Sequence, residues 1–211
     1  MSRSPQSLVA LSVTVLLGLI LSSNVLAHHP MGGEAPQTYL QGLLSGLGHP
    51  VIELDHLAFI AGVGVVLGLG LTRRLVAPLA IAAGAVAGTV LQWSGITVPL
   101  FEVIVALSLL GAGAAILFEP QRKNLLTAAL SAAALCHGQA YGEAVLGAEP
   151  TPVLAYLIGF TIIQAVIAAA FCWATTGLSA LGSKQVRLWR VASGMALGGT
   201  GSALLTIAML T

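Results

Sequence analysis

Charge is scarce in this sequence. Eight Lys and Arg and seven Asp and Glu are spread over 211 residues, 7% of the chain, where an ordinary soluble domain carries about a quarter. A surface so poor in charge does not keep a globular protein in water. The near balance, a net charge of +1, says nothing about partners, and no nucleic acid is expected among them. Cysteine is scarcer still. Cys136 and Cys172 both lie in apolar runs, which excludes a disulfide framework or a CxxC metal knot and fits two small buried hydrophobes. Aromatics make up only 5%. There is no Walker motif, no HExxH and no G-x-S-x-G, and no polar segment is long enough for a nucleotide domain.

What is abundant is apolar surface and glycine. Hydrophobic residues make up 57% of the chain and the mean hydropathy is +0.97, so the solvent is lipid. The 25 glycines suit membrane helices that pack closely on small residues. "GVVLG" (64–68) and "GAVAG" (84–88) carry the small-xxx-small spacing. At the N-terminus, Arg3 precedes the apolar stretch Leu8–Leu21, and Val25 and Ala27 stand at −3 and −1 of a cut before His28. This is the pattern of a cleavable signal peptide over 1–27, with an uncleaved anchor as the alternative.

Six further apolar segments have the roughly 20-residue length that crosses a bilayer: 50–71, 75–93, 98–118, 124–142, 152–178 and 188–210. The expected organisation is an outer N-terminal segment over 28–49, with a short interfacial helix within it, and an all-α, six-helix transmembrane domain over 50–211. Arg73, Arg74, Arg122, Lys123, Lys184, Arg187 and Arg190 all fall in or beside alternate loops. Those loops are therefore expected in the cytoplasm, with the mature N-terminus and the C-terminus outside.

That topology gathers the polar residues. His49, Glu53, Asp55 and His56 come to the outer end of the first span, Glu102 to that of the third, and His137, Gln139, Tyr141 and Glu143 to that of the fourth. An ionisable group near mid-bilayer costs about 2.5–3.5 kcal/mol, and less toward the interface, so such a cluster needs a compensating partner. Pro50 suits a first helical position with His49 as the N-cap. Glu53 and His56 would then share a face, with Asp55 turned about 100° away from His56. Neutral imidazoles beside carboxylates form a ligand set for a divalent cation.

Plainer roles exist for each residue. His49 could cap a helix, Asp55 and His56 could pair as structural glue, and Glu102 could be a solvated acid at a helix start. His137 could be a core histidine, Gln139 and Tyr141 packing groups, and Glu143 a wet-loop residue. Gln164, in the middle of the fifth span, is either interhelical glue or a waypoint.

At these residues the chain resembles the HupE/UreJ family of small bacterial membrane proteins. These are associated with hydrogenase and urease gene sets and regarded as nickel or cobalt permeases. "AHHP" (27–30) resembles the family's His-rich mature start, and "HPVIELDH" (49–56) its H-P-x-x-G-x-D-H stretch. "VPLFEVIVALSLLGAG" (98–113), with Glu102, is similar to its third span, and "HGQAYGE" (137–143) in part to its fourth-span motif. Glu53 stands where the family usually has Gly, and Gln139 and Tyr141 where it often has imidazoles. This makes the site richer in oxygen and poorer in nitrogen.

The resemblance implies a bacterial inner-membrane permease and no enzyme, with nickel or cobalt as cargo, zinc as a weaker alternative, and no organic cofactor. His28, His29 and the free amine would capture the ion. His49, Glu53, Asp55, His56, Glu102 and His137 would hold it, with Gln139, Tyr141, Glu143 and Gln164 lining the path or an outer shell. Two rival classes use the same residues. One is an intramembrane zinc hydrolase with His49, His56 and His137 as ligands and Asp55 or Glu53 as base. The other is a metal sensor or assembly factor with no path beyond the site. A homo-oligomer or an accessory protein is left open.

Overall fold

A computed structural model of the chain describes residues 34–210. The signal segment and the expected ligands His28 and His29 lie outside the described residues. Among the described residues seven helices follow in order: α1 (Tyr39–Ile52), α2 (Leu54–Gly68), α3 (Val76–Trp93), α4 (Phe101–Phe118), α5 (Lys123–Glu143), α6 (Pro150–Ala180) and α7 (Ser183–Leu210).

The first span departs from expectation. No helix starts at Pro50 and His49 is not an N-cap. Instead α1 begins at a capping box, in which Thr38 Oγ1 accepts the Gln41 backbone N–H (3.2 Å) and Gln41 Oε1 accepts that of Thr38 (3.1 Å). It then runs through Pro50 to Ile52. The missing N–H of Pro50 removes one rung of the helix ladder, and three residues on the chain turns extended at Glu53 (φ −86°, ψ 116°). There α2 departs at 78° to α1. Packing explains why α1 persists as far as it does: Gly42 and Gly46 lie against the backbone carbonyls of Pro152 and Tyr156 on α6, and close packing holds the half-helix in place.

Among the described residues, four helices (α3, α4, α6 and α7) are long and apolar enough to cross a membrane, and the bent α1–α2 pair makes a fifth. α5, the expected fourth span, has the length at 21 residues but not the apolarity. Its polar residues Thr127, His137 and Gln139 are buried against protein. Gly84 and Gly88 of α3 meet the Ser131 and Leu135 carbonyls of α5, while Gly64 and Gly68 of α2 meet α6. Both small-residue motifs therefore lie at helix contacts. α2 is central, touching α1, α4, α6 and α7.

From α2 to α7 the helices alternate in direction, so the basic residues share one end. Arg73 Nε donates to Asn124 Oδ1 (2.7 Å), tying the α2–α3 loop to the start of α5. Arg190 on α7 pairs with Glu119 and donates to the Ile116 and Leu117 carbonyls (3.0 and 2.9 Å), closing the C-terminus of α4. The start of α2, the end of α5 and the start of α6 meet at the opposite end.

Candidate metal site

The break in the first span makes the site. Because α1 ends and α2 begins within a few residues, His49 from the last turn of one and His56 from the first turn of the next face each other. Their rings stack with centroids 5.5 Å apart at 21°. Glu53, the residue of the break, completes a group: one ligand atom from each of His49, Glu53 and His56 lies within 4.8 Å of the others. Both imidazoles are almost sealed, at 3% and 1% exposure, and Glu53 is half-buried. Two helix ends meet here. The last carbonyls of α1 favour a cation, and the α2 N-terminus favours an ionised carboxylate and a neutral imidazole.

α5 and α6 wall the cluster. The Tyr141 ring lies 4.1 Å from His56 and 5.2 Å from His49. Tyr156 Oη donates to the Tyr141 carbonyl (2.9 Å) and lies 3.2 Å from His49 Nδ1. His137 Nδ1 lies 3.2 Å from His56 Nδ1, and its Nε2 lies 2.9 Å from Ser108 Oγ on α4. Ser108 in turn donates to the Val105 carbonyl (2.7 Å). Each buried polar side chain of the cluster thus finds a partner, as burial in an apolar medium demands.

The other expected site residues divide. Asp55 stays beside the cluster instead of turning away: its Oδ1 accepts the His56 backbone N–H (2.7 Å) and lies 3.4 Å from His56 Nδ1. Glu102 is exposed on the first turn of α4, outside the three-residue group. Glu143 is exposed at the end of α5. Gln139, expected on the path or in an outer shell, is occupied with backbone. Its Oε1 accepts the Val98 N–H (2.6 Å), and its Nε2 donates to the Ile96 and Gly88 carbonyls (2.9 and 3.4 Å), pinning the α3–α4 loop.

Gln164 is half-buried in the wall of a cavity of about 310 Å³ between α2, α3 and α6. Phe59 and Phe160 line this cavity and also touch the site, stacking on His137 (4.0 Å) and tilting on Tyr141 (5.2 Å). Thr161 and Cys172 line it farther along α6, and Arg74 lines it from the basic end.

The sequence reading singles out neither Tyr156 nor Ser108 as a site residue. The available signal was chemical: a tyrosine hydroxyl inside an apolar helix needs a partner.

The HupE / UreJ protein family matches this chain over residues 13–204. No curated protein and no solved structure matches it.

Proposed function

This chain belongs to the HupE/UreJ family, and we propose on that premise that it is a six-span inner-membrane permease importing nickel or cobalt. The family and the apolar helices make the chain a multi-pass membrane protein related to metal transport. The permease reading rests chiefly on one observation, the His49–Glu53–His56 group at the break of the first span. Two imidazoles and one carboxylate suit a borderline divalent transition metal. A broken helix offers ligands from both half-helix ends, an arrangement recurrent in transporters.

In this reading the seven basic residues lie on the cytoplasmic side and the site opens outward. His28, His29 and the amine of a cleaved chain gather the ion. His49 and His56 replace part of its water shell, and Glu53 offsets its charge. A permease needs a route below the site, and the half-open, mostly apolar cavity behind Phe59 and Phe160 is a candidate for it. It leads away from the site toward the basic end and carries Thr161 and Gln164 on its wall.

The test is uptake of radioactive cobalt and nickel, in separate assays, by cells carrying the wild type or His56→Ala at matched membrane expression. Saturable uptake of one metal that vanishes in the variant is the expected result. Uptake that survives both His56→Ala and His49→Ala would place the transport site elsewhere.

A further inference from the structure

Hydrogen bonding around the site dictates where each imidazole proton sits. A hydroxyl has one proton to give. Ser108 gives its proton to the Val105 carbonyl, so at 2.9 Å from His137 Nε2 it accepts, and His137 carries its proton on Nε2. A neutral imidazole then has its lone pair on Nδ1. That nitrogen lies 3.2 Å from His56 Nδ1, and two lone pairs do not face each other at this distance. His56 Nδ1 is therefore the donor, an assignment its second neighbour, Asp55 Oδ1 at 3.4 Å, also requires. The other histidine follows the same logic from another direction. Tyr156 gives its proton to the Tyr141 carbonyl and accepts from His49 Nδ1 at 3.2 Å.

We propose that His137, backed by Ser108, and Tyr156, backed by the Tyr141 carbonyl, are positioning residues that hold His56 and His49 in the same tautomer, so that both present Nε2 to the metal. His137 is on this account not a ligand. Two helices that contribute no ligand, α5 and α6, set the tautomer and ring orientation of the two imidazoles, and α4 supplies the hydroxyl that orients His137. The inference rests on the metal-site reading for its purpose, whereas the proton positions are assigned from the donor and acceptor distances around each ring. The physical gain is preorganisation: an imidazole with its Nδ1 proton already engaged does not have to change tautomer or rotate when the ion arrives.

Two measurements test it. Nitrogen NMR of the full chain, purified in detergent without metal and carrying ¹⁵N-histidine, reports the tautomers, with signals assigned through single His→Gln variants. The expected pattern is Nδ1–H for His49 and His56 and Nε2–H for His137. Nε2–H at His56, or Nδ1–H at His137, overturns the proposal whatever the protein transports. The second measurement is Co²⁺ binding followed by optical titration and X-ray absorption. Tyr156→Phe and Ser108→Ala should weaken Co²⁺ by about 10- to 100-fold, the usual effect of losing an outer-shell partner. His137→Gln keeps an acceptor for His56 Nδ1, so it should bind more tightly than His137→Phe and leave the number of imidazoles on the metal unchanged at two. A count that falls by one in His137→Gln makes His137 a ligand and overturns the proposal. Wild type that fails to bind Co²⁺ defeats the metal-site reading instead, and the tautomer pattern still decides the relay.

Discussion

At the scale of single residues, what separates a ligand from a neighbour is reach. Glu53 and Glu102 are both acids near the same end of the bundle, but only Glu53 lies within the histidine group, half-buried, while Glu102 is exposed. A carboxylate about 4 Å from a cation is worth on the order of 4 kcal/mol at an effective dielectric near 20, whereas an exposed acid beyond contact is screened by salt. Glu53→Gln should therefore lower Co²⁺ affinity by about tenfold or more, and Glu102→Gln by less than about twofold, in parallel isothermal titrations. Equal effects would mean that Glu102 reaches the ion. The acids and histidines of 49–56 stand out in the sequence because ionisable groups in an apolar run are costly. Ser108 does not stand out, since a serine hydroxyl in a membrane helix commonly bonds its own preceding turn; the hydroxyl of Tyr156 calls for a partner, but only the fold turns it toward His49.

At the scale of helices, glycine placement decides what the bundle tolerates. A Cβ on Gly88 would collide with the Leu135 backbone carbonyl, whereas one on Gly111 meets nothing. Backbone cannot rotate aside as a side chain can, and overpacking of this kind costs about 1–3 kcal/mol. Gly88→Ala should lower the unfolding temperature in detergent, read from tryptophan fluorescence. Gly111→Ala should hold or raise it, since Ala exceeds Gly in a helix by about 0.5–1 kcal/mol. A loss of stability in both would indicate that α3–α5 contact is not what Gly88 serves. Helix boundaries are legible where polar breaks are sharp: "TRR" and the "EPQR" of 119–122 fall between helices, whereas of "GSKQVR" only Gly182 does and the rest opens α7, which starts at Ser183 and not at 188. The boundary at Pro50 is not legible either. Proline's local preference for a helix start yielded to the docking of Gly42 and Gly46 on α6, which carries α1 past it.

At the scale of the whole molecule, charge is sorted by end. Seven basic residues stand at one end and the site at the other, which predicts a sidedness that labelling can read. In a background lacking Cys136 and Cys172, Glu149→Cys should react with an impermeant maleimide added outside intact cells, and Gln121→Cys only after permeabilisation. The reverse pattern would invert the proposed orientation. The cavity adds a kinetic expectation. Gln164→Leu removes a polar group from its wall without touching the ion site, so uptake should slow while Co²⁺ affinity of the purified protein stays unchanged. Affinity and uptake falling together would tie Gln164 to the site itself.

The sequence by itself determined the solvent, the helical class, the sorting of basic residues and which short stretches hold ligand-type side chains. Each of these follows from composition or from spacing along one segment. The tertiary structure alone decided that the first span breaks at Glu53, that His49 and His56 stack across the break, that Gln139 serves a loop, and that His137 faces His56 and not the solvent. These depend on how closely distant helices approach, a distance set by glycines meeting backbone across the bundle rather than by any pattern within one helix.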